Sequence, residues 1–153
     1  MYAVREVDGQ DDEIADVLAD LHRLTFFDGA PVPEFDVGFW WLAFQEGKPV
    51  AFAGLIPSTR ARNAGYFNRV GVLREHYGRS LQLRLMRAME SRARHHGWSA
   101  VVSDTTDNVA SANNFIRAGY RLYQPQHPWG WPNTLYWRKL LKCGRTKTAF
   151  PRI

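Results

Sequence analysis

The chain has 153 residues, 45% hydrophobic and 23% charged, the size and balance of one compact globular domain with a sizeable core. No apolar run reaches the roughly 20 residues that span a bilayer, and the one cysteine, Cys143, can form neither an internal disulfide nor a zinc cluster, which points to a reducing, cytoplasmic setting. The net charge of +5 is uneven: residues 1–50 carry three cations (Arg5, Arg23, Lys48) against eleven carboxylates, whereas residues 108–153 carry eight cations and no carboxylate. Such a basic C-terminal part suits a polyanion, either nucleic acid or a phosphorylated cofactor, and equally a solvated basic face.

Met1–Glu6 has neither a basic leader nor an apolar stretch, so no secretory signal is expected. Tyr2–Val7 alternates as a first strand. Asp11, Asp12 and Glu13 then offer an N-cap and an acidic first turn, and Ile14, Val17, Leu18, Leu21 and Leu24 follow at helical spacing. FDGAPVPEFD (27–36) reads as a Pro/Gly-rich loop with a short helical turn nearby. FWWLAF (39–44) and VAFAGL (50–55) flank QEGKP as a hairpin, in which only one of Trp40 and Trp41 is expected to face inward.

GYFNRVGV (65–72) is a β-prone strand. VLREHYGRSLQLRL (72–85) then ends a strand, bends at Gly78 and runs into a helix, the layout of a turn that cradles a phosphate. Unpaired N–H groups point outward at a helix N-terminus, and the helix dipole adds positive charge there. Gly78 lets the backbone approach a ligand closely, and Arg74 and Arg79 offer charge-assisted contacts. Ser80 offers its N–H, its hydroxyl and a helix cap, and Gln82 points to solvent or to the phosphates.

Leu81, Leu85, Met89 and Ala93 share one face of the following helix, which Gly97 stops. SAVVS (99–103) is a short buried strand and DNVASANNFIRAG (107–119) a capped helix. YRLYQ (120–124) and TLYWRKLL (134–141) are the closing strands. The order is that of a single α/β or α+β domain over residues 1–141, followed by a basic tail, 142–153.

VGVLREHYGRSLQLRLM (70–86) resembles the strand, pyrophosphate loop and helix of the GNAT acyltransferase superfamily. DNVASANNFIRAGYRLY (107–123) resembles that superfamily's pattern of Asn, small residue, aromatic, then Gly-aromatic. The resemblance follows the element order of nearly the whole chain and is sharpest over residues 66–123. It implies a single mixed, mostly antiparallel GNAT-like sheet with helices on both faces. It also implies an N-acyltransferase that moves acetyl from acetyl-CoA to a primary amine, and a homodimer. By the same resemblance Val70, Gly71 and Val72 offer backbone hydrogen bonds to the pantetheine arm. Tyr77, Gly78, Arg79, Ser80, Leu81 and Gln82 hold the pyrophosphate, and Asn108, Ser111, Asn114 and Phe115 lie along the cofactor, Asn108 also reading as a helix N-cap. The chain departs from the superfamily at Tyr77, Ser80 and Gln82, where Gln or Arg, Gly, and Gly or Ala are favoured.

Acyl transfer to an amine requires that the amine lose a proton, that the carbonyl be polarised and that the leaving thiolate be protonated. Where the superfamily often has a carboxylate base this chain has Tyr66, with Asn68 two residues on. Where it often has a tyrosine acid, the chain has Phe115. The remaining candidates are Asp104 as base or water-positioner, Ser111, and Tyr120 or Tyr123. Asp104 also reads as a turn or capping carboxylate, the commoner role for such a residue, and Tyr120 as core. A water chain and backbone N–H groups can also act by positioning alone. His76 is a proton shuttle or a surface histidine, His95-His96 has no partner at metal spacing, and Cys143 fits no nucleophile pattern, so no metal is expected.

In YQPQHPWGWPNTLYW (123–137), Trp129, Trp131, Tyr136 and Trp137 form an aromatic loop. It either sorts a cationic amine by cation–π contact or packs a hairpin or dimer edge. By the same resemblance helix one and its loop flank the acceptor, so the acidic N-terminal half implies a cationic acceptor. Two competing readings are nucleic-acid binding or modification through basic segments with interleaved Trp and Tyr, and a CoA-binding domain with weak turnover. Against the first, there is no zinc-finger spacing, helix-turn-helix or RNP-like strand.

Overall fold

The computed structural model describes residues 1–27 and 29–142. Cys143 and the tail beyond Lys142 lie outside the described residues. Strand β1 (Tyr2–Val7) leads to helix α1 (Asp12–Thr25), capped as its sequence predicts: Asp11 Oδ1 accepts from the N–H groups of Glu13 and Ile14 at 2.9 and 3.2 Å. Leu18, Leu21 and His22 are buried, but Leu24 is 58% exposed, because the stripe facing the sheet continues through Thr25 instead. The helical turn expected near 27–36 is absent among the described residues, where only Phe35 and Asp36 turn. Pro31 and Pro33 lack N–H donors and push the residues before them toward extended backbone.

β2 (Phe39–Gln45) and β3 (Lys48–Pro57) form the expected hairpin. Its turn residues Glu46 and Gly47 both have left-handed backbone, φ 50° and 79°, which matches the twist of the flanking strands. β4 (Ala64–Val72) pairs antiparallel with β3 and bulges at Asn68, since Leu55 faces Phe67 and Gly54 faces Arg69. A 3₁₀ turn (Arg74–His76) then leads to α2 (Leu81–His96), β5 (Ala100–Thr106), α3 (Val109–Arg117), β6 (Arg121–Leu122) and β7 (Thr134–Leu140). β5 is longer than predicted and carries Asp104 inside the strand, paired with Tyr136 of β7. β6 is shorter than predicted, because Gly119 (φ 90°) turns Tyr120 into the core and Pro125 has no N–H to give a ladder.

The strands form one seven-stranded sheet in the order β1-β2-β3-β4-β5-β7-β6, with β4–β5 as its parallel pair. One apolar cluster packs α1 on one face, and a second packs α2 and α3 on the other. Trp40 and Trp41 are therefore both buried, one in each cluster, contrary to the expectation that only one would be. No described helix is long and apolar enough to cross a membrane.

The parallel ladder is short. Ala64, Gly65 and Tyr66 pair with Ala100, Val101 and Val102, and beyond them the strands part. Inside this opening Ser103 Oγ donates to the Phe67 carbonyl at 2.8 Å. Gly71 is required by packing on its other side, where a Cβ would overlap Thr25 Oγ1 and the Phe52 ring. Below α3, Lys139 Nζ donates to Glu90 Oε1 at 2.8 Å and to the Ala118 carbonyl at 2.7 Å, tying β7 to α2 and to the end of α3. Glu90 Oε2 and the Tyr120 hydroxyl are buried beside this pair, and by strict geometry neither has a hydrogen-bond partner among the described residues.

Candidate active site

The opening between β4 and β5 has a helix N-terminus at one end and a carboxylate at the other. At the N-terminus, Gly78 and Ser80 both have left-handed backbone, φ 76° and 60°, so the chain coils tightly into α2. Among the described residues nothing lies within 4 Å of where a Gly78 Cβ would stand, so its freedom of dihedral, not crowding, is what the turn uses. Ser80 occupies the N-cap position, but its hydroxyl makes no capping bond, contrary to the sequence expectation. Left-handed backbone turns that side chain away from the N–H groups it would cap. Those N–H groups and the hydroxyl remain available to an oxyanion, with Tyr77 and Arg79 exposed beside them. Leu81 is 2% exposed in the core and has only its backbone to contribute.

Gln82 points neither to solvent nor into the turn. Its Nε2 donates to Ser111 Oγ at 3.0 Å and its Oε1 accepts from Asn114 Nδ2 at 2.9 Å, clasping α2 to α3. Ser111 N–H in turn donates to the Asn108 carboxamide, so Asn108 is the N-cap of α3. Phe115 is 2% exposed, stacked on Trp137 with ring centres 5.6 Å apart, and has no free surface.

At the other end of the opening, Asp104 collects two donors on one oxygen. Tyr66 Oη donates to Asp104 Oδ2 at 2.6 Å and Trp129 Nε1 donates to the same oxygen at 2.9 Å. Among the described residues no hydrogen bond reaches Oδ1. Burial first, then the Asp104 carboxylate, push the Tyr66 hydroxyl far above the ordinary tyrosine range, with Arg69 and Arg60 opposing. It is therefore a fixed donor to Asp104 at neutral pH.

A hydroxyl whose pKa is raised by folding stabilises the fold fully below the unfolded value of about 10, and loses that contribution as pH rises beyond it. The stability advantage of the parent over Tyr66→Phe, read from urea midpoints, is expected to hold to about pH 9 and to shrink above about pH 10.

The three sequence candidates for catalysis are not brought together. Asp104 sits with Tyr66 and Trp129 on the α1 side of the sheet, and Ser111 is bonded to Gln82 on the opposite side. Tyr120 lies in the core against Phe115, and burial and then Glu90 raise its hydroxyl well above the ordinary range. Tyr123 sits near Asp104, with the Arg138 guanidinium 4.7 Å from its ring centre. His76 shares a 2.9 Å hydrogen bond with Tyr2 away from this cluster. No described group of three or more His, Cys, Asp or Glu side chains could hold a metal ion. The aromatic loop divides: Trp137 is core, Tyr136 is buried beneath the loop with its Oη accepting from Gly130 N–H, Trp129 joins Asp104, and Trp131 is 74% exposed.

A mixed sheet parted at one parallel pair, with a helix N-terminus at the parting, is the architecture of a class of N-acetyltransferases. The ribosomal-protein-S18-alanine N-acetyltransferase from Escherichia coli matches with a TM-score of 0.72 at 12% identity, over 95% of this chain and 98% of that one. The IAA acetyltransferase from Bacillus cereus matches with a TM-score of 0.71 at 13% identity, over 92% and 100%. An aminoglycoside 6'-N-acetyltransferase complexed with coenzyme A matches with a TM-score of 0.71 at 17% identity, over 90% and 96%. No curated protein matches in sequence. The acetyltransferase (GNAT) family model matches residues 10–120, and the chain belongs to that family.

Proposed function

We propose that the protein transfers an acetyl group from acetyl-CoA to a primary amine, with Asp104 receiving the amine proton directly or through a water. The observation that carries this reading is the asymmetry of the Asp104 carboxylate, which has both donors on Oδ2 and, among the described residues, none on Oδ1. Tyr66 and Trp129 orient the group, and the unbonded oxygen remains as the proton acceptor. The turn at Tyr77–Leu81 holds the pyrophosphate through N–H groups at the start of α2, with Arg79 and the Ser80 hydroxyl alongside. The edge of β4 that faces away from β3 at Val70–Val72 offers backbone groups to the pantetheine arm, with Asn108 and the Gln82–Ser111–Asn114 clasp assigned to the same cofactor. Acetyl-CoA supplies an activated thioester. The amine nitrogen bonds to its carbonyl carbon, the carbon–sulfur bond breaks, and the sulfur leaves as the thiolate of CoA, which takes a proton from water in place of the one passed to Asp104.

Thermal unfolding with and without acetyl-CoA or CoA tests the reading. A ligand at about 100 times its Kd adds about 2.7 kcal/mol to a fold that alone binds it, a clear rise in midpoint. A rise with both, and release of thiol when amines are added, is the expected result. No rise with either sinks it.

A further inference from the structure

Positive charge gathers on the face of the sheet that carries Asp104. Arg60 and Arg69 act on the Tyr66 hydroxyl beside Asp104 and Arg138 on that of Tyr123, and none of the three is ion-paired among the described residues. Each lies over an aromatic ring: Arg60 5.5 Å from the centre of Trp129, Arg138 4.7 Å from that of Tyr123, and Arg69 5.5 Å from that of Phe26. Of the aromatic side chains expected to select a cation, Trp129 already holds the protein's own Arg60. A guanidinium stacked by its flat face keeps its edge donors free for an oxyanion. Arg69 directs its donors to the Pro31 and Asn68 carbonyls and to His22 Nε2 at 3.3–3.4 Å, whereas the exposed Arg60 guanidinium makes no hydrogen bond among the described residues.

Distance then limits the ligand. Trp129 bonds Asp104 through Nε1 and carries Arg60 on its ring face, so a single indole separates the carboxylate from the free guanidinium. We propose that the acceptor is a small molecule bearing a primary amine and, a few bonds away, an oxyanion group, carboxylate or phosphate, with the amine at Asp104 Oδ1 and the oxyanion at Arg60. This rests on the acetyltransferase reading above and replaces the cationic acceptor that the acidic N-terminal half suggests. A polyamine or aminoglycoside would bring further positive charge against Arg69 and Arg138.

The test compares matched amines in the presence of acetyl-CoA, reading thiol release: 4-aminobutyrate against butylamine, phosphoethanolamine against ethanolamine, and spermidine. At least one acidic member is expected to exceed its neutral partner, and spermidine, by about tenfold or more in kcat/KM, the scale of one charge-assisted contact. The two pairs distinguish carboxylate from phosphate. Arg60→Gln is expected to collapse that ratio through KM while the acetyl-CoA midpoint shift persists. If no amine turns over, the same pairs are compared by calorimetry as ligands of the CoA-bound protein. Equal or better use or binding of the neutral amines or spermidine, or a ratio that survives Arg60→Gln, overturns the proposal. Loss of the acetyl-CoA shift itself is a different failure, that of the acetyltransferase reading.

Discussion

Asp104→Asn is expected to lower kcat for amine acetylation by about 10²–10⁴-fold while leaving the acetyl-CoA midpoint shift intact. The substitution preserves shape but not polarity. Tyr66 and Trp129 both donate toward the position of Oδ2, so the carboxamide must keep its oxygen there and turn its NH₂ to the position of Oδ1. A donor then stands where the amine proton would go. Steady-state kinetics with a saturating acceptor, beside thermal shifts with acetyl-CoA, separates this from simple misfolding. A loss below about tenfold would assign the deprotonation to water and leave Asp104 as an anchor for the aromatic loop.

The largest expected effect on stability lies elsewhere, at Lys139→Met, which should cost about 3–5 kcal/mol in urea unfolding. Glu90 is 4% exposed, and Lys139 is its closest cation at 2.8 Å, while Arg94 Nη2 stands 3.9 Å from the same oxygen. Removing the lysine leaves a carboxylate in the core with distant compensation, and it also uncaps the Ala118 carbonyl at the end of α3. Adding Glu90→Leu to Lys139→Met should recover most of the loss, because an apolar pair of similar volume removes both charges. If the single variant is as stable as the parent, water or Arg94 compensates for the lysine.

Much of the fold was legible in the sequence because its signals are local. The Asp11 cap, the Glu46-Gly47 turn and the Gly97 stop each act within a few residues. The failures come from tertiary context. Trp40 and Trp41 looked mutually exclusive under a one-sided rule, but both faces of β2 are covered. Leu24 matched helical spacing, yet the sheet takes Thr25 at that end of α1. Asp104 stood out as a lone carboxylate after an apolar run. Its partners did not, because Tyr66 and Trp129 lie 38 and 25 positions away and meet it only where the strands part. Gln82 read as a misfit in a phosphate turn, since its two partners belong to another helix. A basic composition could not say which arginines gather on one face, so Arg60 and Arg69 went unnoticed.

The brief ladder between β4 and β5 has a mechanical meaning. Four strands on one side and three on the other are joined by three residue pairs, against seven in each of β2–β3, β3–β4 and β5–β7. Beyond those three pairs the spacing of the two halves is held by side chains, Tyr66–Asp104 and Ser103–Phe67 across the gap and Lys139–Glu90 through α2. The group that orients the chemistry thus also helps set how far apart the two strands stand.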